Sequence, residues 1–215
     1  MARVAVFGGS FNPIHYGHLL LADEVAEALA LDRVLFVPAA QPPHKPATDL
    51  APASERFAMV ALAVAGHPKF AVSDLELTRS GLSYTVDTLS ALARPGDTLF
   101  LLIGSETFLD LLSWREPRRV AKLARLVVVP RTGSAFDPES AAAQKVLREV
   151  GAEPFATLRG APVPAQGTLV VHASSLPVSA SELRRRAREG RSLAFRLPPA
   201  VIAYIAAHRL YGTAG

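Results

Sequence analysis

Short apolar runs and longer amphipathic stretches alternate from one end of the chain to the other. Residues 2–7, ARVAVF, are apolar and rich in β-branched side chains, as in a strand buried on both faces. Residues 18–30, HLLLADEVAEALA, are helix formers whose period puts Leu20, Leu21, Val25 and Leu29 on the buried side. RVLFVP at 33–38 predicts a second strand, SERFAMVALAVA at 54–65 a helix, FAVSDLEL at 70–77 a strand and residues 83–93 another helix. TLFLLIG at 98–104 predicts the strongest strand of the chain. A short helix at 116–124, a strand at 125–130, a helix at 140–150 and a strand at 168–173 follow. Residues 179–190 and 198–210 predict two closing helices, the second with proline at its entry.

Strands that alternate with helices imply βαβ units. The expected fold class is α/β: a doubly wound, Rossmann-like parallel sheet with helices on both faces. No internal repeat and no interdomain linker interrupts the pattern, so residues 1–215 are expected to form one domain. Residues 39–52 form a proline-rich loop. Residues 151–167, rich in Pro, Ala and Gly, predict a long loop or excursion.

The 215 residues are 50% hydrophobic, enough for one sizeable core. A formal net charge of +4 and a sequence pI near 9.8 suit an anionic partner, either a phosphorylated small molecule or nucleic acid. No basic stripe is interleaved with aromatics, which argues against nucleic acid. The absence of cysteine excludes disulfides and thiolate zinc sites. The opening residues show no secretory leader, and no apolar run approaches the ~18 residues of a membrane span. The expectation is a cytoplasmic protein with no membrane partner; assembly into a homo-oligomer is compatible with the sequence.

Candidate chemistry concentrates behind the first strand, in VAVFGGSFNPIHYGH. In an open parallel sheet, ligands bind at the carboxyl ends of the strands. Glycines there let a phosphate approach the backbone, and a following helix offers unpaired N–H groups. His15 and His18, at the start of that helix, can face the same anion and stabilise charge at a phosphorus centre. The G-x-G-x-x-G dinucleotide spacing fails, since the glycines are Gly8, Gly9 and Gly17. The Gly-Lys-Ser/Thr of a P-loop is missing too, and Ser10 is not in a G-x-S-x-G elbow.

The run Gly8-Gly9-Ser10-Phe11-Asn12-Pro13-Ile14-His15-Tyr16-Gly17-His18 resembles the G-G-x-F-x-P-x-H-x-G-H signature of the nucleotidylyltransferase superfamily. PVSASELRRR resembles its second nucleotide-binding motif, I-S-S-T-x-I-R, with Ser179, Ser181 and Arg184 in register. VPAAQPPHK, RFAM, SYTVDTL, GSETFLDLLSW and the tail LPPAVIAYIAAHRLYG are similar to the bacterial nicotinate-nucleotide adenylyltransferases. That resemblance implies an enzyme joining nicotinate mononucleotide and ATP into deamido-NAD and pyrophosphate. It implies Mg²⁺ held mainly by the ATP phosphates, no metal bound by the protein alone and no covalent intermediate. Two alternatives stay open: an enzyme acting on nicotinamide mononucleotide or on both, and a non-catalytic nucleotide-binding module.

The same resemblance assigns roles. Gly8, Gly9, Ser10 and Phe11 line the phosphates, and His15, His18 and Arg184 act at the reacting centre. Gly104 and Glu106 match a Gly-x-Asp on the adenosine side, with Glu in place of Asp. Ser179 and Ser181 hold the triphosphate. Lys45 and Arg131 are suited to phosphate contact. Trp114 stacks on the pyridine ring, and backbone N–H groups at Tyr84 and Thr85 receive its carboxylate.

Overall fold

β1 (Arg3–Gly9) is an interior strand of a seven-stranded sheet, with a neighbour on each side. In the computed structural model, residues 1–44, 50–131, 133–158, 163–174 and 176–212 are described. The elements in chain order are β1, α1 (Tyr16–Ala28), β2 (Arg33–Pro38), α2 (Ala53–Val64), β3 (Phe70–Val72), α3 (Leu75–Thr78), α4 (Thr85–Leu92) and β4 (Thr98–Gly104). Then come α5 (Ser105–Leu109), a 3-10 turn (Leu111–Ser113), α6 (Pro117–Leu123), β5 (Arg125–Val129), α7 (Ala141–Val150), β6 (Phe155–Thr157) and β7 (Thr168–Val170). α8 (Ala180–Arg188), α9 (Pro199–Ala207) and a final 3-10 turn (Leu210–Gly212) complete it.

The sheet has the order β3-β2-β1-β4-β5-β7-β6, and each strand pair is parallel. Alternate residues of each strand point to opposite faces, which is why consecutive apolar residues are both buried. Ala5, Phe36, Phe100, Leu102, Val127 and Leu169 meet one set of helices: α1 through Ala22 and Val25, α2 through Met59 and Val60, α8 through Leu183 and α9 through Val201 and Ile205. Val6, Val37, Leu101, Ile103 and Val128 meet the other set: α4 through Leu89, α5 through Phe108, α6 through Val120 and α7 through Val146 and Leu147. The expected doubly wound sheet with two covered faces is therefore the observed one.

β1 pairs with β2 on one side and β4 on the other, so the chain order reverses at β1. That reversal leaves a crevice at the carboxyl ends of β1 and β4.

Three local expectations need correction. The strand expected over 70–77 stops at Val72, because Asp74 turns the chain into α3. The 151–167 segment contains β6, which adds an edge strand to β7. α5 and the 3-10 turn follow β4 directly and were not expected.

Candidate active site

The glycine turn sits at the crevice. Gly8 and Gly9 end β1 opposite Val37 and Pro38. A Cβ on Gly8 would meet nothing within 4 Å, so the backbone there faces open space. A Cβ on Gly9 would lie 3.1 Å from the ring of Phe11, which folds back beneath the turn. Phe11 has φ 43 and is 2% exposed, its ring set against Phe7, Phe36 and His18 at 5.2–5.8 Å. The phosphate-lining role expected of Phe11 can therefore fall only to its backbone, since its side chain is core.

The turn is braced from below by Arg56, an arginine 1% exposed within the apolar run of α2. Its guanidinium donates to the carbonyls of Ser10 (2.8 Å), Ala39 (2.7 Å), Ala40 (3.2 Å) and Ala51 (2.8 Å). Burial pulls its pKa below the usual arginine value, while Tyr211 and Glu76 act in the opposite direction. Multiple carbonyl acceptors compensate a buried cation, and they tie the glycine turn and both ends of the 39–52 loop to one point. The peptide bond between Asn12 and Pro13 is cis.

His15 caps α1 and His18 sits three residues on, in its first turn. Their rings stack at 3.7 Å with 26° between planes. The His15 backbone N–H donates to His18 Nδ1 at 3.3 Å. With Nδ1 accepting, Nε2 carries the ring hydrogen and serves as a donor. Gly17 makes room for the pair: a Cβ there would lie 3.0 Å from His15 Nδ1.

His15 is 7% exposed, and burial, aided by the nearby Arg131 charge, lowers its pKa from 6.5 to about 4. At neutral pH it is a neutral imidazole. Between pH 6.5 and about 4 the unfolded chain takes up a proton here that the folded chain does not. Folding stability should therefore decline as pH falls through that window, this group contributing a slope of at most ~1.4 kcal/mol per pH unit. Urea denaturation across the window should show a shallower decline for His15→Gln. Equal slopes in both proteins would contradict a buried neutral His15.

The far end of the chain reaches the same turn. Ser179 caps α8, accepts the Glu182 N–H at 3.3 Å and lies 3.2 Å from the Ser181 hydroxyl. Both serines are exposed. Arg184 Nη1 donates to the Asn12 carbonyl at 2.8 Å, bringing α8 against the glycine turn. Its neighbours face elsewhere. Arg185 pairs with Glu182 at 2.6 Å, and Arg186 donates to the Ser192 carbonyl.

Across the crevice, Gly104 ends β4 and caps α5. The exposed Glu106 lies 4.0 Å from Arg131, which is itself exposed and acts electrostatically on His15. Glu106, Arg131 and His15 therefore belong to one neighbourhood.

Tyr84 and Trp114 form a second group beside it. Ala39 N–H donates to the Gly9 carbonyl, and Gln41 exchanges hydrogen bonds with Ser83, one to the carbonyl and one to the hydroxyl. These contacts carry the glycine turn to the start of α4, where Tyr84 is the cap and Thr85 the first residue. Tyr84 N–H donates to the Leu82 carbonyl at 3.1 Å, so the expected donor there is engaged; Thr85 and Val86 open the helix instead. Trp114 is half-buried, and the next residue, Arg115, stacks its guanidinium 4.8 Å from the Tyr84 ring. Lys45 lies outside the described residues.

Three residues that matter to this geometry escaped sequence reasoning: Arg56, Asn12 as an acceptor and Tyr211. Arg56 left one trace, a charged residue on the apolar face of an otherwise core-like helix. A surface cleft of about 840 Å³ between α6 and α7, lined by Arg118, Lys122, Lys145 and Glu149 among others, contains no expected site residue. Among the described residues, no group of three or more His, Cys, Asp or Glu could hold a metal ion, and no helix is long and apolar enough to cross a membrane.

A doubly wound sheet with a glycine turn, a histidine pair and a helix-borne arginine at its switch point defines an α/β protein of the nucleotide-binding class. Residues 6–186 match the family model described as cytidylyltransferase-like. "Probable nicotinate-nucleotide adenylyltransferase" of Thermus thermophilus is 44% identical over 211 residues, covering 97% of this chain and 99% of the relative. The protein of the same name from Geobacter metallireducens is 42% identical, covering 97% and 98%. The chain belongs to the cytidylyltransferase-like family and, within it, to the nicotinate-nucleotide adenylyltransferases. The fold is shared with Plasmodium falciparum nicotinic acid mononucleotide adenylyltransferase complexed with NaAD, at a TM-score of 0.75, 19% identity and 98% coverage of both chains.

Proposed function

We propose that the chain transfers the adenylyl group of ATP to nicotinate mononucleotide, releasing pyrophosphate and forming deamido-NAD. The observation that carries this reading is the meeting of α1 and α8 at the glycine turn, with His15, His18 and Arg184 around one open stretch of backbone. The site offers donors and positive charge. Its chemistry is positioning and charge stabilisation.

The mononucleotide phosphate oxygen attacks the α-phosphorus of ATP. One P–O bond forms as the bond to the β,γ-pyrophosphate breaks, and the electron pair leaves with pyrophosphate. His18 Nε2–H donates to the oxygens where charge accumulates. His15, held neutral, donates without acting as an acid. Arg184 forks onto the phosphates, and Ser179 and Ser181 offer hydroxyls beside it. The backbone at Gly8, Gly9, Ser10 and Phe11 admits the phosphates closely. Gly104 and Glu106 face the adenosine, Arg131 meets a phosphate, and Lys45 is assigned a further phosphate contact.

Mg²⁺ bound to the ATP would neutralise part of the phosphate charge, leaving the protein's own donors to hold and orient the phosphates. The donor set fits that arrangement: it is cationic and hydroxylic, with Glu106 already beside Arg131. Trp114 stacks on the pyridine ring, and the start of α4 receives its carboxylate. We place the enzyme in the cytoplasm.

Pyrophosphate release tests the reading. It should require ATP, Mg²⁺ and the mononucleotide together; a nucleotide-binding module without catalysis releases none. If Arg184 grips the phosphates in a fork, lysine replaces it poorly. Arg184→Lys should raise KM for ATP more than KM for the mononucleotide. Equal changes in steady-state kinetics, or no change, would remove Arg184 from the phosphate site.

A further inference from the structure

We propose that Tyr211 is a positioning residue for adenylyl transfer, acting through Asn12 on the glycine turn and Arg184; this rests on the reading of the site given above. The Tyr211 hydroxyl donates to Asn12 Oδ1 at 2.8 Å. The same oxygen accepts the Ala51 N–H at 3.1 Å, at the entry to α2. The Asn12 carbonyl, on the other side of the residue, accepts Arg184 Nη1 at 2.8 Å. Asn12 is 3% exposed, so its polar atoms depend on these partners. One asparagine thus joins the turn after β1, the start of α2, the helix carrying Arg184 and the tail of the chain.

Tyr211 is held there against its backbone preference. Its φ is 60, in the left-handed region that an aromatic residue rarely enters, and Arg209 two residues earlier has φ 51. Such conformations persist only where the surroundings impose them, and they gather at functional sites. These two reversals follow α9 and bring the phenol back to the crevice. The tail also packs on α8, since a Cβ on Gly212 would lie 3.4 Å from Arg188 Cγ. It therefore touches Asn12 and the helix that carries Arg184, whose contact joins residues 172 apart in sequence.

The phenol is suited to a permanent donor. Burial pushes its pKa above the ordinary tyrosine value, although Arg184 and Arg56 pull the other way. It therefore stays protonated at neutral pH. Its proton fixes Asn12 Oδ1 as the acceptor, which orients the side-chain amide and, with it, the turn. In-line transfer is sensitive to such placement, since a shift of about 1 Å can cost 10²-fold in rate.

Tyr211→Phe removes one hydroxyl and leaves the ring packing in place. We expect ~10-fold lower kcat/KM for ATP and weaker binding of Mg·ATP in calorimetry, with KM for the mononucleotide unchanged. In an Arg184→Ala background the same substitution should cause a clearly smaller loss, because part of its effect passes through that arginine. Melting temperatures of both proteins separate this from general destabilisation. A Tyr211→Phe protein that melts earlier but keeps full kcat/KM for ATP would overturn the proposal, as would an undiminished effect in the Arg184→Ala background. The calorimetric arm needs no second substrate. A wild-type chain that binds Mg·ATP but makes no dinucleotide would refute the assigned reaction, while the binding data would still decide the role of Tyr211.

Discussion

His18→Ala should fold as the wild type does and lose about 10²–10³ in kcat, the usual cost of removing one preorganised donor from developing charge. The preorganisation is visible in the ring's surroundings. Phe11 meets it edge-on at 5.2 Å, Phe7 at 6.0 Å, and His15 stacks on it at 3.7 Å. The His15 N–H fixes its Nδ1, which leaves Nε2–H as the donor. No reorganisation is then needed as charge appears on the phosphates. Folding should survive because alanine is a good helix former and His18 is only half-buried. Steady-state kinetics with circular dichroism and a thermal melt would check both halves. Near-native kcat in a folded His18→Ala protein would contradict the role.

The second large effect is a preference of about 10²-fold or more for nicotinate over nicotinamide mononucleotide. The two differ only in carboxylate against carboxamide. At the start of α4, Tyr84 N–H is engaged with Leu82, so the donors for an anion are the Thr85 and Val86 N–H groups, with the helix dipole behind them. Asp87 in the same turn would oppose an anion, but Arg115 lies 3.7 Å from its carboxylate and covers the Tyr84 ring. A carboxylate satisfies two N–H donors, whereas an amide turned one way presents its own NH₂ to a donor and leaves both unpaired. A fully buried mismatch of that kind can reach ~10⁴. The half-exposed Tyr84 and Thr85 place this site below that limit. Comparison of kcat/KM for the two mononucleotides reads the preference. Tyr84→Ala should reduce it only in part, since the donors are backbone groups, and Trp114→Ala should weaken both substrates alike. A ratio near unity, or one favouring the amide, would contradict the backbone-donor arrangement.

The architecture was readable because the apolar periods are strong. β2 and β4 begin and end at the expected residues, and α1 starts two residues early because His15, rather than the residue before His18, takes the cap. The failures have local causes. FAVSDLEL carries apolar residues on both sides of Ser73-Asp74, and the turn there outweighs the strand pattern. β6 is a three-residue edge strand in a Pro- and Gly-rich stretch, too short for a period to register. α5 continues from β4 without a Gly or Pro to mark the change after Gly104.

At the site, the local signal was the pair His15 and His18, whose spacing alone puts them on one turn of helix. Arg184 could be named from its motif, but its approach to Asn12 is a contact between the two ends of the chain that no local pattern encodes. The same holds for Tyr211 and Arg56. Phe11 is the converse case: a residue of the glycine-turn motif whose side chain belongs to the core.

The most direct test of the account follows the α-phosphorus. ATP labelled at the α-phosphate, mixed with Mg²⁺, nicotinate mononucleotide and the wild-type chain, should pass its label into deamido-NAD, with one unlabelled pyrophosphate released for each dinucleotide formed. Label recovered as AMP or ADP, or left wholly in ATP while the mononucleotide is present, would contradict adenylyl transfer as the function of this site.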